Sequence, residues 1–186
     1  AAIVEVNSET DFVAKEDTFI KFVDGVADYV LAERPTNLEA LLAAKLPSGE
    51  SIEDTRKALI AKLGENMSVR RFEIINAKGS ASAYSHGSRI GVLIDVEGGE
   101  DSLGRDLAMH IAASRPICID ESEVPQQEID KEKEIYSAQA AESGKPAEII
   151  EKMVQGRMKK FLKEITLLGQ DFVKDSDQTI EQLLKS

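Results

Sequence analysis

AAIVEVNSETDFVAKEDTFIKFVDGVADYVLAERP, residues 1–35, carries two hydrophobic periods in succession, and the point where one gives way to the other decides how the fold is read. AAIVEVN is a strand-like run, and Ser8, Thr10 and Asp11 are residue types that start helices by accepting a bond from a free backbone N–H. From Thr10 to about Leu31 the spacing predicts a helix, with Phe12, Phe19, Val23, Val26 and Val30 recurring on one face. Arg34-Pro35 ends it, because the residue before a proline is pushed out of the helical region. This register sets Phe12 in the core with Val23 and Val30. Its first-turn position leaves a second reading open, a side chain overhanging the core edge.

Downstream, Thr36-Asn37 caps a short helix carrying Leu38, Leu41 and Leu42, stopped by Pro47-Ser48-Gly49. Ser51 to Asp54 has capping-box spacing, Ile52, Leu59 and Leu63 share the face that follows, and Gly64 is placed as a left-handed cap. The period then changes to two. Strands are expected over Val69–Ile75, Ser80–Tyr84 and Ile90–Val96, with Ser85-His86-Gly87-Ser88 as a hairpin turn. After Gly98-Gly99, Asp101 or Ser102 caps a helix whose apolar face holds Leu103, Leu107, His110 and Ile111, and Ser114-Arg115-Pro116 stops it.

The segment from Ile90 to Pro116 repeats the plan of residues 1–35: strand, acidic turn, amphipathic helix, Arg-Pro. The second copy follows a hairpin strand, ASAYS, whereas the first has no such strand before it. A chain that opens inside a strand and without methionine reads as a fragment or a processed form. From Pro125 the texture changes. Ile129 and Tyr136 lie one heptad apart, as do Val154 and Phe161, and Ser143-Gly144-Lys145-Pro146 breaks the run. Two helices folding back as a hairpin with a narrow apolar seam are expected, the alternative being two ordinary packed helices. Asp175-Ser176-Asp177 is expected to cap a last short helix with Ile180, Leu183 and Leu184.

Composition narrows the function. The 186 residues suffice for one large domain or two small ones, and the net charge of −11 argues against a nucleic-acid surface, which needs clustered lysine and arginine. Solubility alone accounts for such an acidic surface. No apolar run approaches the roughly 20 residues that span a bilayer, and the first residues lack the basic start of a secretory signal. The single cysteine, Cys118, excludes an intramolecular disulfide framework and fits a reducing compartment.

Motifs of catalysis do not emerge. The sequence contains no GxxxxGK phosphate loop, no GxGxxG after a strand, no HExxH and no CxxC. His86 and His110 are the only histidines, too few with Cys118 to argue for zinc. Ser85 or Ser88 with His86 and Asp95 could be drawn as a triad, but neighbours on a turn do not have triad geometry. His110 reads as a hydrogen-bonded core histidine and His86 as exposed. A binding protein remains, with Phe12, Leu63-Gly64 and the turn at 85–87 as the candidate contact groups. No cofactor or metal is expected.

EVNSETDFVAK (5–15), KLGENMSVRRFE (62–73), YSHGSRIGVLIDVEG (84–98), LAMHIAASRP (107–116) and SGKPAEIIEKMVQGRMKKFLKEITLLGQDFV (143–173) together resemble the elongation factor Ts family, in order and spacing, over nearly the whole chain. That family serves the translational GTPase elongation factor Tu as its exchange factor. The resemblance implies an α+β fold of two related subdomains, each a small antiparallel sheet packed with helices, plus an antiparallel helical hairpin like a coiled coil. It divides the chain into residues 1–68 and 69–124 as the two core subdomains, the first truncated, then 125–164 as the hairpin and 165–186 as a segment returning to the core. It also implies that an N-terminal three-helix module and the end of a C-terminal module fall outside this sequence.

The resemblance further implies a guanine-nucleotide exchange factor without a catalytic site, whose partner is elongation factor Tu, with no direct nucleic-acid or membrane binding. Self-association as a homodimer stays open. The setting implied is the bacterial cytoplasm, with an organellar homologue as the alternative. Asp11 and Phe12 match the family's TDF motif, in which the phenylalanine wedges into the partner's nucleotide domain near its magnesium site and the aspartate anchors it. Leu63 and Gly64 match an Ile-Gly pair that touches the same domain, with a volume-conserving leucine for isoleucine. His86 matches a histidine that docks near the partner's third domain. The resemblance thus reverses the periodicity: it predicts that Phe12 is exposed. A structural scaffold that binds through the hairpin is the competing reading.

Overall fold

Strand β1 (Ala2–Ser8) pairs antiparallel with β2 (Met67–Ile74), from Ala2 opposite Ile74 to Ser8 opposite Met67, with an irregularity between Glu5 and Val6. The fold is α+β, with small antiparallel sheets packed with helices. The computed structural model describes residues 1–186, Asp101 by its backbone alone, so the cap expected of Asp101 lies outside the described residues. Contacts divide the chain into two units, Ala1–Ala108 and Met109–Ser186.

In the first unit three helices lie between the paired strands in sequence: α1 (Asp17–Glu33), α2 (Leu38–Ala43) and α3 (Ile52–Leu63). Their apolar faces and β2 enclose one core of Phe19, Phe22, Val26 and Val30 from α1, Leu41 from α2, Ile52 and Leu59 from α3, and Met67 and Val69 from β2. Val26, Val30, Leu41 and Ile52 are fully buried. Each such side chain contributes about 1.5–3 kcal/mol by leaving water, so packing rather than helix propensity holds these helices. The caps agree with the sequence: Asn37 accepts from the Ala40 amide, Ser51 from the Asp54 amide, and Gly64 closes α3 at φ 75°. Strands β3 (Ser80–His86) and β4 (Ile90–Val96) form an antiparallel hairpin, and α4 (Asp101–Ser114) follows.

The start of α1 departs from the sequence expectation. A single turn of 3-10 helix, Val13–Lys15, comes first; Glu16 is extended (ψ 131°), and α1 begins at Asp17. Glu16 is the N-cap, its carboxylate accepting from the Thr18 amide at 2.7 Å. The interval of seven from Phe12 to Phe19 thus spans a change of chain direction and does not place the two on one helical face.

The repeat also looks different in three dimensions. Strand β1 does have a partner, β2, but it arrives after three helices, where a hairpin strand was sought just before it. The shared ending is real: Arg34 and Arg115 both take left-handed backbone (φ 51° and 49°), and each donates its amide to the carbonyl four residues back, Val30 and Ile111, before a proline.

In the second unit α5 (Gln126–Ala141) and α6 (Ala147–Ile165) fold back on each other through Glu142–Pro146. Only Ala140 and Val154 are buried along them, and Arg157 lies 5.5 Å from the Tyr136 ring centre while donating to Gln139. The seam is narrow, as the heptad spacing predicted. Residues 171–179 correct another expectation: β5 (Asp171–Phe172) and β6 (Asp175–Thr179) pair as a short hairpin, so Asp175–Asp177 caps nothing. Thr179 instead caps α7 (Ile180–Lys185) through a reciprocal capping box with Gln182. His110 is fully buried, with Nε2 3.0 Å from Gln170 Oε1, while Nδ1 accepts from the Val173 amide at 3.2 Å. That acceptance fixes the proton on Nε2, and burial pushes the imidazole pKa down. Among the described residues no helix is long and apolar enough to cross a membrane.

Candidate functional site

Phe12 is 88% exposed, the most exposed large apolar side chain in the chain, and sits at the N-cap of the 3-10 turn. The cause is local. Val13, the next residue, is buried at 7% exposure and anchors the turn to the core. Successive residues of a helical turn point about 100–120° apart, so burying Val13 swings Phe12 outward. At that exposure the ring packs against little of the folded chain and is left in solvent.

Two polar anchors hold the residues just before the ring. Arg89 Nη2 donates to both oxygens of Asp11 at 2.7 and 2.6 Å. The guanidinium holds the Asp11 carboxyl below the usual carboxylate range, chiefly through this hydrogen bond. Arg89 stands in the three-residue loop Gly87–Arg89 at the tip of the β3–β4 hairpin, with Gly87 at φ 60°. Thr10, one residue earlier, donates its amide and hydroxyl to the two oxygens of Glu65 at 3.1 and 2.6 Å. Within the loop, Ser8 Oγ donates to the Thr10 carbonyl, which also accepts from the Ala14 amide.

The remaining expected contact residues join this arrangement. Gly64 is exposed beside Glu65, its left-handed backbone closing α3 with an amide donated to Ile60 at 2.9 Å. Leu63 is half-buried against the core. His86 is exposed, as expected, but it is the last residue of β3 rather than a turn residue, and Tyr84 Oη lies 3.3 Å from its Nδ1. The two rings stack with centroids 6.4 Å apart. Asp11-Phe12 is therefore tied to the Leu63-Gly64 corner through Glu65 and to the hairpin of His86 through Arg89. The sequence reading missed both tying residues. Glu65 had a signal, since it follows the predicted cap glycine; Arg89 had none, being 78 positions from Asp11.

Asp95 accepts from the Lys78 and Gly79 amides, which occupy it in a turn away from His86. No group of three or more metal-ligating side chains converges among the described residues. What projects is an aromatic ring on a turn whose preceding residues, Thr10 and Asp11, are bonded to Glu65 and Arg89.

A family model described as elongation factor Ts matches residues 9–186. The chain is 59% identical over 187 residues to elongation factor Ts of Thioalkalivibrio sulfidiphilus, covering 100% of this chain and 64% of that protein. The elongation factor Ts of Methylococcus capsulatus is 58% identical over 187 residues with the same coverage, and that of Nitrosomonas eutropha 53% identical over 185 residues, covering 63% of its length. The chain thus spans just under two thirds of the relatives it matches. With a match along nearly all of its residues, it belongs to the elongation factor Ts family.

Proposed function

We propose that this chain promotes GDP release from elongation factor Tu during translation elongation, in the bacterial cytoplasm, with Phe12 as the wedge. The observation that carries this reading is the 88% exposure of Phe12 on a turn held by Val13, Asp11 and Thr10. A ring with two side-chain torsions, already positioned, buries its area in a partner pocket at small entropic cost. Asp11 keeps the turn against the hairpin, Leu63 and Gly64 supply a second contact with the nucleotide domain, and His86 docks elsewhere on the partner. No chemistry is required of this chain. A wedge that favours a partner state with a distorted magnesium site weakens GDP binding, and by linkage GDP weakens the factor's binding by the same factor. The core residues 1–124 carry the wedge, the hairpin 125–164 is an accessory, and 165–186 closes the chain.

The test is release of fluorescent GDP from elongation factor Tu, with this chain added as it stands and grafted into the full length of a relative. Acceleration by the graft that disappears with Phe12→Ala supports the reading; no acceleration by the graft refutes it. The scaffold alternative has its own observation, Ile135 and Ile149 exposed at 39% and 45% on the helical hairpin. Deleting residues 125–164 separates the two, because release survives if the core wedge carries it.

A further inference from the structure

Glu65 is an acidic residue on an already acidic chain, and it uses both carboxylate oxygens on a single residue, Thr10. The β1–β2 register explains how the two meet. Asn7 pairs with Ser68 and Ser8 with Met67, so continuing the antiparallel ladder by two residues brings Thr10 opposite Glu65. The ladder does not continue in the backbone, because Gly64 turns left-handed at φ 75° and the chain beyond Ser8 leaves the strand. The Glu65 side chain takes over where the backbone pairing stops. Its carboxylate accepts the Thr10 amide at 3.1 Å and the Thr10 hydroxyl at 2.6 Å.

We infer that Glu65 is a positioning residue for nucleotide exchange: through Thr10 it sets the direction in which Phe12 projects and locks the Phe12 turn to the Leu63-Gly64 corner. This rests on the exchange reading above. Three features support it. Both donors come from one residue two positions before Phe12, so the clamp fixes orientation as well as distance. The same Thr10 hydroxyl lies 3.4 Å from the Val13 amide, so the clamp also orients the cap of the 3-10 turn. A charged acceptor makes each of these bonds stronger than a neutral one. Glutamine in its place presents one acceptor oxygen instead of two, and alanine none.

The experiment compares Glu65→Ala, Glu65→Gln, Thr10→Val and Thr10→Ser with the unsubstituted chain. In the free chain, hydrogen exchange at the Thr10 amide should accelerate in Glu65→Ala, with the melting temperature nearly unchanged because the pair is on the surface. In the GDP-release assay, Glu65→Ala and Thr10→Val should each lower exchange efficiency about fivefold, the factor carried by one net hydrogen bond. Thr10→Ser should retain activity, and Glu65→Gln should recover part of it. The double variant Glu65→Ala/Thr10→Val should lose no more than either single one. Unchanged protection of the Thr10 amide in Glu65→Ala overturns the clamp. Unchanged release by Glu65→Ala, where Phe12→Ala abolishes it, overturns the positioning role while leaving the wedge standing. Failure of the exchange reading itself is distinguishable, since the unsubstituted graft is then inactive; this role falls with it.

Discussion

Replacing Phe12 by alanine separates a contact residue from a core residue more sharply than any other single change. In a packed core, phenylalanine to alanine costs about 3–5 kcal/mol, the sum of lost transfer free energy and the cavity left behind. Phe12 has almost nothing to lose in this way: at 88% exposure its ring is already in water, and truncation leaves no cavity. The expected change in stability is within about 0.5 kcal/mol, as for surface substitutions in general. Phe22, 4% exposed in the core of the first unit, is the internal control and should show the full cost. For a chain of this size about 1 kcal/mol moves the melting temperature by roughly 2–4 °C. Phe12→Ala should therefore melt within about 2 °C of the parent, and Phe22→Ala roughly 6–20 °C lower. Burying a phenylalanine side chain is worth about 1.5–3 kcal/mol, so affinity for the nucleotide-free partner should fall roughly ten- to hundredfold. Calorimetry and the GDP-release assay measure the two quantities. A stability loss of about 3 kcal/mol or more in Phe12→Ala would falsify the reasoning, because the ring would then be packed in the folded chain.

Gly64→Ala tests the left-handed corner. A Cβ there meets no atom within 4 Å, so the cost is conformational, about 1–2 kcal/mol from φ 75°, seen as a lower melting temperature without aggregation. Arg89→Gln should let the Asp11 carboxyl titrate at a higher pH than in the parent, because its main stabilising bond is gone; carbon-detected NMR of that carboxyl reads the shift, and no movement refutes the ion pair. Acidification should weaken the second unit through His110. Its folded pKa is depressed, so the neutral imidazole's contribution is full above the unfolded value of about 6.5 and is lost as pH falls through the folded pKa. Urea melts of the parent should show this slope below about pH 6.5, and His110→Gln, which cannot protonate, should lack it.

Much of this was legible along the chain because it is governed by short-range rules. The caps at Asn37 and Ser51, the left-handed Gly64 and the Arg-Pro stops depend on residues within four positions of one another. Two of the misreadings share one origin. The helix expected from Thr10 fails at Glu16, where the side chain bonds to its own downstream amide and restarts the helix. The hairpin at 171–179 was missed because Asp175, Ser176 and Asp177 look like caps, whereas Thr179 with Gln182 supplies the cap. In both places two caps competed within a few residues, and local pattern could not choose between them.

The sequence by itself determined an α+β chain, its helical hairpin, the buried role of His110, and, through a specific family signature, which five residues to watch. Periodicity alone pointed the wrong way for Phe12, because a spacing of seven carries no information about a bend between its ends. The tertiary structure puts Val13 in and Phe12 out, as the family resemblance predicted, and it alone shows that Glu65 and Arg89 hold Thr10 and Asp11 beside that turn. Those two bonds join residues 55 and 78 positions apart, brought together by strand pairing and a hairpin tip. Contacts over such separations follow from the packed fold, since loop closure across them is stabilised only by the core that forms between.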